Sequence, residues 1–124
     1  MTNFTHPEFS TMASLVERMD ALPAHVVYGQ LMGRQSWGDA MDRLVPEHMR
    51  EGFIRYIAYG MGMGGFGAAL LSNDLMRAYS RGDEANIAAM QDWVTFLYNY
   101  APAGCFGSAE NYTAWRGILV EEED

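Results

Sequence analysis

The run Pro46-Glu47-His48-Met49-Arg50-Glu51-Gly52-Phe53-Ile54-Arg55-Tyr56-Ile57-Ala58-Tyr59-Gly60 decides the fold class. Proline opens it at a position where a missing N–H costs nothing. Met49, Phe53, Ile54 and Ile57 then recur at helical spacing, with Glu47, Arg50, Glu51 and Arg55 on the other side. The stretch reads as an amphipathic helix that stops at Gly60. Directly after it, Gly60-Met61-Gly62-Met63-Gly64-Gly65-Phe66-Gly67 places five glycines in eight residues. Glycine is used where φ must be positive or where another group nears the main chain, so this loop is a corner, a hinge or a contact surface.

Toward the N-terminus, Thr5-His6-Pro7-Glu8 has the spacing of a capping box with proline in the first turn. Phe9, Met12, Ala13, Val16 and Met19 follow on one face, until Pro23 ends the helix. Ala24 to Arg34 reads as a loop or short helix, because Gly29 and Gly33 break either element early, and Ser36 or Asp39 can cap a short turn through Met41 and Leu44. Toward the C-terminus, Phe66, Ala69, Leu70, Leu75, Ala78 and Tyr79 mark one helix, with Gly82 as its left-handed C-cap. Asp83 caps the next, in which Ile87, Met90, Val94, Leu97 and Tyr98 hold helical spacing until Pro102; Ser108 announces a last helix carrying Tyr112, Trp115 and Leu119. No run alternates long enough for a sheet. The expected fold is an all-α, single-domain bundle of five or six short helices with a Gly-rich interhelical loop. Residues 1–44 form an N-terminal extension, 46–119 the core module and 120–124 an acidic tail.

At 124 residues and 49% apolar composition, the chain has material for one core. It has no apolar window of about 18 residues, and Met1 to Ser10 lack the basic start and apolar run of a secretory signal. A cytoplasmic protein without membrane contact is expected. The lone Cys105 excludes an internal disulfide and a zinc ribbon and reads as a buried structural thiol. All eight basic residues are arginine. Without lysine there is no Schiff-base chemistry and no P-loop amine. The net charge is −8, and four of the sixteen acids are Glu121, Glu122, Glu123 and Asp124 at the end. Such a balance disfavours direct nucleic-acid binding and suits an Arg/Lys-rich protein surface.

Gly62-Met63-Gly64-Gly65-Phe66-Gly67 satisfies G-x-G-x-x-G, and Asp83 follows at a plausible distance, but the segment before it is helical where a dinucleotide site needs a strand. A helix–helix corner is the better reading. His48 and Glu51 have the spacing of half a di-metal carboxylate site and lack the second half. No nucleophile motif surrounds any serine or Cys105. No catalytic, cofactor-binding or metal-ligating residue is assigned, and the chain reads as a non-enzyme. Trp93, Phe96 and Tyr100 fall on a different face from Val94, Leu97 and Tyr98. That helix is apolar nearly all round, so it is either central or covered by a partner.

Pro46, His48-Met49, Gly52, Tyr56-Ile57, Gly60, Gly65-Phe66, Ala69, Leu71, Asn73-Asp74-Leu75, Ala78, Asp83, Asn86, Leu97-Tyr98-Asn99, Pro102, Cys105, Gly107-Ser108 and Trp115 form a pattern across about residues 46–115. In it the chain resembles a group of short, functionally uncharacterised proteins of tailed phages and prophages. It departs from them in residues 1–44 and in the Glu-rich end, as though two helices and a tail were added to a four-helix module. The resemblance brings no catalytic residue. It implies an accessory protein that binds and inhibits a host protein machine, such as an anti-CRISPR or other anti-defence inhibitor occupying a basic nucleic-acid channel. The contact residues expected are Glu47, Glu51, Asp74, Asp83, Glu84, Asp92, Trp93, Phe96 and the tail acids Glu121, Glu122, Glu123 and Asp124. Two other readings stand beside it: a small-molecule or nucleotide binder, or an enzyme, using the glycine loop with Asn73, Asp74 and Arg77, and a homo-oligomeric assembly protein built on the Trp93 helix.

Overall fold

The computed structural model describes residues 11–120. These hold nine α-helices, one 3-10 turn at Ala103–Cys105 and no strand. The all-α class is as expected, and the helices outnumber the expected five or six because two predicted helices are each broken in the middle and Ala24 to Arg34 is helical as well. The Thr5–Glu8 capping box lies outside the described residues. Helix α1 (Met12–Ala21) has its own reciprocal box six residues later: Ser14 N–H donates to Thr11 Oγ1 at 3.0 Å and Thr11 N–H donates to Ser14 Oγ at 3.1 Å.

Ala24 to Arg34 takes the second of its two expected forms, a short helix. It forms α2 (Ala24–Met32), ended by Gly33 at φ 70°, and is followed at once by α3 (Gln35–Leu44). Neither Ser36 nor Asp39 caps α3: the N-cap is Arg34, and both residues lie inside the helix. Gly29, which looked like a helix breaker, belongs to the interface of α2 with α3. A Cβ on Gly38 would lie 2.4 Å from the His25 carbonyl oxygen and 3.1 Å from Gly29 Cα, so the two backbones touch where no side chain fits between them.

Pro46 and Gly60 bound α4 (Glu47–Tyr59) as expected. The next predicted helix is two. Helix α5 (Gly65–Leu71) stops at Asn73, which takes φ 64°, and α6 (Leu75–Arg81) restarts from Asp74, whose carboxylate accepts from Arg77 N–H at 3.2 Å. Gly82 is extended, at φ −79°, and not left-handed; a Cβ there would meet Ile87 Cδ1 at 2.9 Å and Phe66 Cδ1 at 3.0 Å. The helix after Asp83 also breaks, at Ala89, into α7 (Glu84–Ala88) and α8 (Met90–Tyr100). Ser108 caps α9 (Ala109–Ala114), and Trp115 and Leu119 lie beyond it in a terminal strap.

The core is aromatic at its centre. Tyr28, Phe53, Trp93 and Phe96 are fully buried, with ring centroids 5.8 Å apart for Tyr28–Phe53, 5.4 Å for Phe53–Phe96 and 6.1 Å for Phe53–Trp93. Tyr28, Leu31 and Met41 from α2 and α3 share this core with α4 and α8, so the described part of residues 1–44 is integral to the fold. Polar atoms inside are paired: Trp93 Nε1–H donates to Asn86 Oδ1 at 3.1 Å, the Tyr28 hydroxyl to the Tyr100 carbonyl, and the Tyr56 hydroxyl to the Cys105 carbonyl at 2.7 Å. Cys105 is buried, and burial pushes its thiol up to about 12.

Candidate functional site

The glycine loop serves the molecule's own packing. Helix α4 ends with carbonyls that have no partner within the helix, and the strap supplies donors: Ile118 N–H to Ile57 O at 2.9 Å and Leu119 N–H to Ala58 O at 3.0 Å, while Trp115 Nε1–H adds a second bond at 2.9 Å to Tyr56 O, which already accepts from Gly60 N–H. The approach is tight enough that a Cβ on Gly60 would be 2.8 Å from the Trp115 carbonyl oxygen, and one on Gly117 2.4 Å from that of Ala58. Met63 N–H donates to the Tyr112 hydroxyl at 2.8 Å, tying the loop to α9. Helix α4, and no strand, precedes G-x-G-x-x-G, so the βαβ setting of a dinucleotide site is missing. Asn73 and Asp74 line a cleft to which none of the loop glycines contributes.

Two surfaces stand out. The first is an open polar hollow of about 720 Å³ between the α1–α2 corner and the start of α4, lined by Met19, Leu22, Pro23, Ala24, His25, Asp42, Glu47, His48, Arg50 and Glu51. Arg50 braces its floor, donating to Val45 O at 2.9 Å and Asp42 O at 3.0 Å and standing 3.4 Å from the Asp42 carboxylate. These bonds satisfy carbonyls at the end of α3, so Arg50 is committed to structure. His25 Nδ1 approaches the same carboxylate at 3.4 Å. At the hollow's edge His48 Nε2 is 2.8 Å from Asp83 Oδ2, which joins α4 to the α7 cap. The Asn86 N–H, and after it His48, hold the Asp83 carboxyl below the usual carboxylate range. Glu51 pairs with Arg55 at 3.6 Å, while Glu47 makes no ion pair among the described residues. Among those residues no group of three His, Cys, Asp or Glu is arranged to hold a metal ion.

The second surface is apolar. Helices α6 and α8 flank a cleft of about 220 Å³ lined by Leu70, Leu75, Ala78, Met90, Val94, Leu97, Tyr98 and Phe106, with Asn73 and Asp74 at its lip. Around it Leu75 is 67% exposed, Met76 80%, Tyr79 65%, Val94 57% and Tyr98 80%. Here the sequence reading is corrected. Trp93 and Phe96, expected as partner contacts, are 0% exposed and cannot touch another molecule. On α8, Trp93, Phe96 and Leu97 face the core, continuing the inward side that Asn86 occupies on α7, while Val94 and Tyr98 face out. On α6, which restarts after Asn73, Ala78 faces the core and Leu75 and Tyr79 face out. Leu75, Met76, Tyr79 and Tyr98 were missed as surface residues. The legible signal was Asn73-Asp74, a helix stop followed by an N-cap.

The other expected contact acids are spread out. Glu47 and Glu51 lie together in the hollow, Asp83 and Glu84 adjoin it through His48, Asp74 is occupied as a cap at the cleft, and Asp92 is exposed on the first turn of α8. Glu121, Glu122, Glu123 and Asp124 lie outside the described residues. No helix among the described residues is long and apolar enough to cross a membrane. No protein-family model, curated protein or solved structure matches the chain.

Proposed function

We propose that this chain is a non-catalytic accessory protein of phage type that binds a protein of its host in the cytoplasm and occupies a basic, nucleic-acid-binding surface, as an anti-CRISPR or other anti-defence inhibitor does. The observation that carries the reading is the hollow, where Asp42, Glu47 and Glu51 line one concavity open to solvent and Arg50 is the cation opposing them. An arginine or lysine entering it would find carboxylates already positioned by helices. Opposite charge speeds encounter and sets orientation, and the net charge of −8 extends the same field beyond the hollow.

Affinity capture from the host with the tagged full chain, read by mass spectrometry, tests this. A defence or nucleic-acid-processing protein is expected on the wild type, released as salt rises from ~0.1 M to ~1 M and the screening length falls from about 10 Å to about 3 Å. Glu47→Gln with Glu51→Gln is expected to weaken the isolated complex roughly tenfold. Capture of no such protein, or capture that the double variant leaves unchanged, rejects the reading.

A further inference from the structure

We propose that the α6–α8 face pairs with the same face of a second copy of this chain, across a twofold axis running along the cleft. Leu75, Met76, Tyr79, Val94 and Tyr98 are each more than half exposed on two neighbouring helices, and Leu75, Val94 and Tyr98 line one cleft. With a tyrosine covering roughly 150–250 Å², the five present on the order of 600 Å². This is most of the ~800 Å² that each partner contributes to a standard interface.

Charge selects a second copy as the occupant. On α6, Leu75 and Ala78 line the cleft while Arg77 lies on the far edge; on α8, Val94 and Leu97 line it while Asp92 lies on the far edge. Across both helices the face therefore reads base, apolar centre, acid, with Asp74 at the lip of the centre committed as the α6 N-cap. Arg77 and Asp92 are exposed, and neither makes an ion pair among the described residues. A twofold along the cleft lays α6 of one copy over α8 of the other, so the flank carrying Arg77 on each copy faces the flank carrying Asp92 on its partner. A twofold across the helices would set Arg77 against Arg77. The face is self-complementary in the first arrangement only, as an isologous contact must be.

Sedimentation equilibrium of the full chain tests this, since the dimer has twice the 13.9 kDa of the monomer. The wild type is expected to dimerise below ~200 µM, and Leu75→Glu with Tyr98→Glu to weaken the dimer on the order of 100-fold. Both sites are exposed, and unchanged circular dichroism will show that the fold persists. Arg77→Asp and Asp92→Arg, each alone, are expected to weaken the dimer, and the two together to restore it. A wild type still monomeric at ~200 µM, a dimer indifferent to Leu75→Glu with Tyr98→Glu, or charge reversals that do not rescue one another would overturn the proposal. The hollow is untouched by these variants, so host-protein capture fails or succeeds independently of the result.

Discussion

The two faces of α8 carry the same kinds of residue and meet opposite fates. Trp93 and Phe96 are enclosed by Phe53, Phe66 and Tyr28, and the indole N–H is matched by Asn86; Val94 and Tyr98, one and two positions away, are mostly in water. Hydrophobicity does not distinguish them. Position around the helix does: Trp93 and Phe96 continue the side on which Asn86 is buried, and Val94 and Tyr98 lie off it. The inner face stabilises the fold, and the outer face is available for contact with another molecule.

Trp93→Ala has the largest expected effect, because it empties the centre of the core and leaves the Asn86 amide buried without its donor. A loss of about 3–5 kcal/mol is expected in urea unfolding. A loss below about 1 kcal/mol would mean that the inner face is not the core. Alkaline titration gives a graded reading of the same enclosure. Cys105 is pushed from 9.0 to about 12 by burial, and Tyr28, against Phe96, is raised well above 10.0 by burial and then by Cys105. Both hold their protons in the folded chain at pH values where the unfolded chain releases them. Stability is therefore full below about pH 9 and falls as pH rises toward 12. In Cys105→Ala the decline should begin closer to pH 10, where tyrosine is the next group to titrate. A melting temperature flat from pH 9 to pH 12 would contradict the enclosure. The smallest effect belongs to the outer face: Tyr98→Ser, under conditions that keep the chain monomeric, should change stability by no more than about 0.5 kcal/mol.

Much of the helical layout was legible because its signals are local. Pro46 and Gly60 bound α4, Pro23 stands between α1 and α2, and Asp83 and Ser108 cap α7 and α9, each acting on main-chain groups within one turn. Glu47 and Glu51 were legible as an exposed pair one turn apart, and Cys105 as a buried thiol. Less legible were elements whose reason lies elsewhere in the chain. Gly29 looked like a helix breaker, because its reason is Gly38 on the next helix. The packing at the start of the glycine loop was not legible, because the donors that meet the end of α4 come from Trp115, Ile118 and Leu119.

By itself, then, the sequence determined an all-helical chain, its principal caps and stops, and its excess of negative charge, since these depend on composition and on atoms a few bonds apart. Only the tertiary structure decided which side of α8 is inside, that α6 turns Leu75 and Tyr79 to solvent, and that His25, Asp42 and Arg50 join Glu47 and Glu51 around one hollow. Burial and shared cavities are relations between segments far apart in the chain. Which side of a helix turns inward is settled by packing against those distant segments.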